Sequence, residues 1–199
     1  MKKEIYFLGG PKIFLRPIEV EELRKTAAII EKWVNDETVT YFMFTGQKPK
    51  NLKQVMSDLE EQLESKDNVI FLVQDQKTKK SIGYAGLYEI NSTAKKAELR
   101  ILIGEKDFWG KGCGSETVKI ITYYGFDRLN LNRIYLGFTA DNKGAAKAYE
   151  KAGYSYEGTL KEDIYRNSRY YDSLRMAILK KNYYKNFYKS DVEKFKQKI

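Results

Sequence analysis

The sequence predicts a mixed α/β fold, because strand-like and helix-like segments follow one another along its 199 residues. Residues 95–103 alternate apolar and polar side chains, as a half-buried strand does. Residues 115–129 instead repeat apolar side chains every three or four positions, which is the spacing of a helix. Closely spaced strands in the first half predict an antiparallel meander, and the second half predicts a βαβα unit.

The first half of the chain is predicted to hold five strands and two helices. A Gly9-Gly10-Pro11 turn separates the first two strands, and Asn51 with Gln54 forms the start signal of the second helix. An aromatic-containing loop is expected between the helices, over residues 38–49. The strands are predicted at 5–8, 12–18, 69–74, 81–90 and 95–103, and the helices at 19–35 and 51–65.

The second half is predicted to begin with a glycine loop over residues 110–114 and to end in a basic tail. Between them we expect helices at 115–129 and 143–152 and strands at 133–139, 154–165 and 170–179. The domain is therefore predicted to span 1–179, followed by an amphipathic tail over 180–199. A helix that docks on the domain is favoured for the tail by the spacing of Tyr184, Tyr188, Val192, Phe195 and Ile199.

Composition excludes several classes of chemistry. Cys113 is the one cysteine and there is no histidine, which excludes disulfide frameworks, Ser-His-Asp triads and His-ligated zinc. About half of the net charge of +9 lies in residues 180–199, with seven Lys against two acidic residues, so the charge gives a nucleic-acid partner little support. No apolar run reaches the ~20 residues of a membrane span, and we expect a cytoplasmic protein without a membrane partner.

The glycine loop is the most informative segment of the chain. Phe108-Trp109-Gly110-Lys111-Gly112-Cys113-Gly114-Ser115-Glu116 lies between a predicted strand and a predicted helix. Such a loop directs backbone N–H groups and the positive end of the helix dipole at an anion, and a pyrophosphate fits it. The spacing matches neither a Walker loop nor a dinucleotide fingerprint. A simple turn of the chain is the alternative reading.

A second motif follows about 28 residues downstream, where Asn142-Lys143-Gly144-Ala145-Ala146-Lys147-Ala148-Tyr149-Glu150-Lys151-Ala152-Gly153-Tyr154 comes after a strand-like run. With both motifs in this order, the chain resembles the GNAT superfamily of acetyl-CoA-dependent N-acetyltransferases over residues 13–179. Trp109 departs from the family's Arg or Gln. The form Trp-Gly-Lys-Gly is similar to the ribosomal-protein N-terminal acetyltransferase branch, as are the stretches 33–36 and 171–174.

The resemblance implies a largely antiparallel sheet with helices on both faces and acetyl-CoA as cosubstrate. It implies that the backbone of Leu102 and Ile103 pairs with the pantetheine arm. Asn142 matches a position that contacts the cofactor, and helix capping is its alternative role. The implied pyrophosphate-binding residues are Gly110, Lys111, Gly112, Cys113, Gly114 and Ser115.

Two catalytic residues are predicted. Tyr149 matches the family's general acid, and filling of the core is the alternative. Glu98 interrupts an apolar strand and is the candidate general base, acting directly or through water; a surface ion pair with Arg100 is the alternative. Cys113 is rejected as a nucleophile because no histidine can activate it. No metal is expected, because the carboxylates lack ligand spacing.

The acceptor is predicted only as a class of amine. A protein N-terminus, a small amine and an amino sugar stay open, and a polyamine would favour acidic groups such as Glu60, Glu61 and Glu64. A solvated helix face is the alternative reading of those three. The rival function is a catalytically idle CoA-binding module, or an RNA-associated one that uses the basic tail. Both a monomer and a homodimer stay open.

Overall fold

An eight-stranded sheet forms the centre of the molecule, which a computed structural model describes over residues 6–195. The strand order is β1-β2-β3-β4-β5-β6-β8-β7. Only the β5–β6 pair is parallel within this sheet, and the other neighbours are antiparallel. The strands are β1 (Leu8–Gly9), β2 (Ile13–Pro17), β3 (Val69–Asp75), β4 (Ser81–Asn91), β5 (Lys96–Ile103), β6 (Arg133–Thr139), β7 (Ser155–Arg166) and β8 (Arg169–Leu179).

Helices cover both faces of the sheet, as predicted. On one face, α1 and α3 bury a cluster that includes Trp33 of α1, Leu59 of α3 and Leu102 of β5. On the other face, α4 buries its apolar side against the sheet, with Ile121 and Phe126 fully inaccessible. The helices are α1 (Leu23–Val34), α2 (Glu37–Thr40), α3 (Leu52–Glu64), α4 (Cys113–Asp127), α5 (Lys143–Lys151), α6 (Lys180–Asn186) and α7 (Tyr188–Phe195).

Several element boundaries differ from the prediction. The first helix is preceded by a 3-10 turn at Val20–Glu22. The predicted aromatic loop begins with the short helix α2, and Asp36 caps this helix by accepting a hydrogen bond from the amide of Thr38 at 2.9 Å. Helix α4 begins at Cys113 rather than at Ser115, so two of the five residues of the predicted glycine loop are helical. Ile5 of the predicted first strand and Ile199 of the predicted tail helix lie outside the described residues.

The tail docks on the domain as predicted, but as two helices instead of one, and the predicted Tyr184 is 39% exposed while its neighbour Tyr183 is buried. Tyr183 of α6 and Phe195 of α7 are buried, and α7 packs against α4. The Tyr183 hydroxyl donates to the buried carboxylate of Asp191 at 2.9 Å. The boundary between a domain over 1–179 and a separate tail stays a prediction.

Strands β5 and β6 pair over only a short stretch and then diverge. Their register runs from Lys96 opposite Arg133 to Glu98 opposite Tyr135 and stops there. Beyond this point β6 stays paired with β8 and β5 stays paired with β4. A wedge-shaped gap therefore opens in the sheet toward the end of β5, with Glu98 at its apex, and this gap positions the site.

No helix within residues 6–195 is long and apolar enough to cross a membrane.

Gly104, directly after β5, is packed against the ring of Trp33. A Cβ atom at Gly104 would lie 2.1 Å from Cγ of Trp33. We expect Gly104→Ala to lower the free energy of unfolding by about 1–3 kcal/mol, because the core must shift to admit the methyl group. Denaturant unfolding measures the effect, with Gly158→Ala as the control because an added Cβ there meets no atom within 4 Å. Equal stability of the two variants would contradict this packing.

Candidate active site

A cleft of about 960 Å³ opens where β5 ends, and it brings both sequence motifs together. Its walls are the end of β5, the glycine loop with the first turn of α4, helix α5, and the aromatic loop, which we define as Tyr41, Phe42, Met43 and Phe44. The first three residues of the aromatic loop line the cleft. The glycine loop and α5 are far apart in sequence, so the cleft forms only when the β5–β6 unit folds.

The glycine loop presents an open helix N-terminus to this cleft. Gly112 is the N-cap of α4 in a left-handed conformation (φ 84°), and no side chain caps the helix there. The amides of Cys113, Gly114 and Ser115 belong to the first turn, whose N–H groups have no intrahelical acceptor. Gly110 also has a positive φ of 70°, with free space where a Cβ would be. This site fits a diphosphate, whose oxygens would accept hydrogen bonds from these N–H groups.

Lys12, near the start of the described residues, contacts the glycine loop, and sequence reasoning missed it. Its ammonium group donates to the carbonyl of Lys111 at 2.6 Å. The Glu116 carboxylate of α4 holds the segment around Lys12 in place by accepting hydrogen bonds from the amides of Lys12 (2.8 Å) and Ile13 (3.0 Å). No sequence signal marks Lys12, since the contact spans about a hundred positions.

Cys113 begins α4 with its side chain buried. Burial raises the pKa of the Cys113 thiol, which keeps it protonated. A protonated, buried thiol is a poor nucleophile, so the structure agrees with its rejection as a covalent catalyst.

The backbone of β5 faces the gap at Ile101 and Ile103. The amide of Gly104 donates to the carbonyl of Ile82 on β4 at 2.9 Å. The backbone N–H and C=O groups of successive strand residues point to alternate neighbouring strands, so those of Leu102 also face β4. The indole N–H of Trp109 donates to the carbonyl of Ile103 at 2.8 Å. The backbone groups open to a ligand in the gap are therefore those of Ile101 and the amide of Ile103, and sequence reasoning missed Ile101.

Tyr149 and Asn142 come to the cleft from α5. Tyr149 is buried, and its ring packs 5.2 Å from the ring of Phe138. Tyr149 is one of the residues that line the cleft, and its hydroxyl has no hydrogen-bond partner within residues 6–195. Burial raises the pKa of Tyr149, so the phenol stays protonated. Asn142 accepts from the amide of Ala145 at 3.0 Å, which is the capping role, and also lines the cleft.

Two lysines of α5 also line the cleft, and sequence reasoning missed them. Lys147 and Lys151 lie one helical turn apart and place two positive charges beside the space that the glycine loop bounds. Their four-residue spacing was the available signal. No group of three or more His, Cys, Asp or Glu side chains in the described part of the chain could hold a metal ion.

Glu98 lies at the apex of the gap and is ion-paired. Its Oε2 atom accepts from Nε of Arg100 at 2.6 Å, and Arg100 also bonds to Glu89 at 2.7 Å. Burial lowers the pKa of Arg100, but its hydrogen bonds to both carboxylates and their negative charges outweigh burial and raise that pKa. The Oε1 atom of Glu98 has no partner within residues 6–195. Glu98 does not line the cleft itself and lies on the α1–α3 face of the sheet.

A parted parallel strand pair with an open helix N-terminus beside it is the arrangement that the resemblance to acetyl-CoA-dependent N-acetyltransferases implies. Residues 12–155, more than half of the chain, match the family model described as the acetyltransferase (GNAT) domain. The chain belongs to this family and is an acetyl-CoA-dependent N-acetyltransferase. The predicted family and fold are thus confirmed, and the idle-module alternative is not supported.

Relatives with an assigned activity cover most of the chain. The chain is 31% identical over 170 residues to spermidine N(1)-acetyltransferase of Escherichia coli K12, covering 85% of this chain and 87% of the relative. It superposes with a TM-score of 0.76 and 30% identity on spermidine N-acetyltransferase from Vibrio cholerae in complex with CoA and spermine, covering 86% and 98% of the chains. A GNAT acetyltransferase from Bacillus anthracis, at 19% identity and TM-score 0.73, shares the fold.

Proposed function

We propose that the protein transfers the acetyl group of acetyl-CoA directly to a primary amine of a small polyamine. The observation that carries the proposal is the meeting of an open helix N-terminus, a buried protonated tyrosine and a parted strand pair in one cleft. The polyamine is proposed because relatives that match most of the chain are named as spermidine acetyltransferases. A protein N-terminus and an amino sugar, the other acceptors that the sequence left open, are outcomes of the test below.

The cofactor-binding roles follow the geometry of the cleft. Acetyl-CoA supplies the activated acetyl group as a thioester. The amides of residues 110–115 bind its diphosphate, and Lys147 and Lys151 add positive charge nearby. Ile101 and Ile103 pair with the pantetheine arm through the backbone groups that β6 leaves free. Leu102 lines the cleft but does not pair with the arm through its backbone. Asn142 orients the arm from the cap of α5.

Tyr149 acts as the general acid in this proposal. Its hydroxyl donates a hydrogen bond and then a proton to the sulfur as the carbon–sulfur bond breaks and the amine nitrogen bonds to the acetyl carbon. Because burial raises the pKa of Tyr149, the proton is always present at neutral pH. The same burial excludes water from the reacting sulfur.

Glu98 removes the amine proton in this proposal, directly or through one water. It lies where β5 and β6 part, so an amine that enters from the α1–α3 face meets its free Oε1 atom. Glu89 and Glu98 share a single guanidinium, that of Arg100. Glu60, Glu61 and Glu64 lie on the exposed side of α3, which fits a solvated face.

An acceptor panel tests the proposed function. Release of free thiol from acetyl-CoA is followed with spermidine, spermine, a monoamine of similar length, glucosamine and a short peptide with a free N-terminus. We expect turnover with the polyamines and at least about tenfold lower kcat/KM with the monoamine, because the distal ammonium groups add binding energy. Turnover of the peptide without turnover of either polyamine would replace the polyamine with a protein N-terminus.

Glu98→Gln tests the proposed base. We expect kcat/KM at neutral pH to fall about 100-fold or more, because general-base catalysis contributes on that order. The control is Glu89→Gln, which removes the other carboxylate from the same guanidinium of Arg100. Equal losses in both variants, or an unchanged rate and pH profile in Glu98→Gln, would show that the ion pair is only structural.

A further inference from the structure

Arg166, the last residue of β7, is a buried arginine without a carboxylate partner. Its side chain is 6% exposed, and it forms no ion pair within residues 6–195. A buried guanidinium is costly unless hydrogen bonds satisfy it. The hydrogen-bond partners of the Arg166 guanidinium therefore indicate its structural role.

All partners of Arg166 are at the two ends of the aromatic loop. One terminal nitrogen, Nη1, donates to the carbonyl of Thr40 at 2.6 Å and to the carbonyl of Thr45 at 3.2 Å. The other, Nη2, donates to the hydroxyl of Thr40 at 3.1 Å. Thr40 ends α2 immediately before the aromatic loop, and Thr45 follows it directly. A single planar group thus joins both ends of the aromatic loop to the β7–β8 hairpin.

Two further contacts hold the aromatic loop to the same side of the sheet. The Thr139 hydroxyl, at the end of β6, donates to the carbonyl of Phe42 at 2.8 Å. The guanidinium of Arg175 on β8 lies 5.7 Å from the ring centre of Phe44. The aromatic loop is therefore attached to β6, β7 and β8, and it faces β5 across the gap in which the amine is proposed to react.

We propose that Arg166 is a positioning residue that sets the aromatic loop as the wall of the acceptor side of the cleft. The inference rests on the proposed function for its catalytic consequence, but the position of the aromatic loop can be measured without any turnover. Loss of Arg166 weakens acceptor use, because Tyr41, Phe42 and Met43 no longer line the cleft in one place. Cofactor binding, which the glycine loop and α5 provide, is largely kept.

A purely space-filling role does not account for this side chain. The Nε atom of Arg166 is buried and has no hydrogen-bond partner. An unbranched apolar side chain would fill the same space without that unsatisfied donor. What the guanidinium adds is a fork of directed hydrogen bonds to Thr40 and Thr45.

The test compares Arg166→Met, Arg166→Lys and Thr139→Val with the wild type. Thr139→Val removes the second hydrogen-bond anchor without a change of charge, so it keeps the test available if Arg166→Met fails to fold. Arg169→Met is the matched control, since Arg169 starts the neighbouring strand and is exposed. Three quantities are measured: hydrogen exchange of segment 37–50 without substrates, the dissociation constant of CoA, and kcat and KM for spermidine.

We expect faster exchange confined to 37–50 in Arg166→Met and Thr139→Val, with the exchange of Arg166→Lys between those of Arg166→Met and the wild type. For spermidine, kcat/KM should fall about tenfold or more in Arg166→Met, while the CoA dissociation constant stays within about twofold. Unchanged exchange of 37–50, or equal losses for CoA and spermidine, would overturn the inference. If the exchange result holds but no amine is acetylated by the wild type, the proposed function fails and the positioning role of Arg166 stands.

Discussion

Tyr149→Phe is expected to lower kcat by about 100- to 10,000-fold, the usual contribution of a positioned acid, and to leave CoA binding unchanged. The substitution removes only a hydroxyl that has no partner within residues 6–195, so no buried group loses a hydrogen bond and the fold is kept. Single-turnover kinetics with saturating spermidine measure the chemical step, and calorimetry measures CoA binding. A decrease in CoA affinity that accounts for the whole loss of rate would contradict the acid role.

The matched control is Tyr154→Phe, in the short connection between α5 and β7. The hydroxyl of Tyr154 is bonded to the hydroxyl of Thr122 at 2.8 Å inside the core. Its removal is expected to cost about 1 kcal/mol of stability, because Thr122 loses one of its two hydrogen-bond partners, and to leave kcat unchanged. The two tyrosines thus separate a catalytic hydroxyl from a structural one.

The pH dependence of kcat supplies an independent test of Tyr149. The acid is active when protonated, and burial raises the pKa of Tyr149, so activity should be lost only above the ordinary tyrosine pKa of about 10. We therefore expect kcat to show no falling limb between pH 8 and about 9.5. A falling limb near pH 8.5 in the wild type that disappears in Tyr149→Phe would show that burial does not protect this proton.

Gly112→Val is expected to weaken acetyl-CoA binding about tenfold or more, which corresponds to about 1.4 kcal/mol. Gly112 has a φ of 84°, a conformation that a β-branched side chain strongly disfavours. The backbone must change to relieve the strain, and the N–H groups at the start of α4 then no longer converge on the diphosphate. Calorimetry with CoA measures the affinity. Calorimetry with a CoA fragment that lacks the diphosphate-linked nucleotide shows whether the lost affinity comes from the diphosphate contacts.

Gly158→Val is the control for the glycine substitution. Gly158 lies in β7, and an added Cβ there meets no atom within 4 Å. CoA affinity should stay within about twofold of the wild type. An unaltered affinity in Gly112→Val as well would mean that the diphosphate does not lie on the amides of this loop.

The elements were predictable because their signals are local, and the meeting of the two motifs was predictable only from the family resemblance. Alternation in 95–103 and the helical spacing after the glycine loop are set by neighbouring residues, and β5 and α4 formed accordingly. Asn142 likewise caps α5 as its residue type predicts. The family motif then placed α5 beside the glycine loop, which no local pattern could have done.

The contacts that the sequence did not reveal are those between distant segments. Lys12 reaches the glycine loop from the first turn of the chain, and Arg166 reaches Thr40 from the last hairpin. The backbone of Ile101, and not that of Leu102, is free to pair with a ligand, because β4 already binds the backbone groups of Leu102. The pairing of Glu98 with Arg100 was one of two readings of an alternating strand, and whether Glu98 is also the base stays a prediction.

Direct acetyl transfer within the cleft is tested most directly by mass spectrometry of one reaction mixture. The wild-type protein is incubated with acetyl-CoA and spermidine, and the amine product, the free CoA and the intact protein are measured together. The account predicts acetylated spermidine in amounts equal to the CoA released, with no acetyl group on the protein. Release of CoA without an acetylated amine, or an acetyl group on Cys113 that forms before the amine is added, would contradict it.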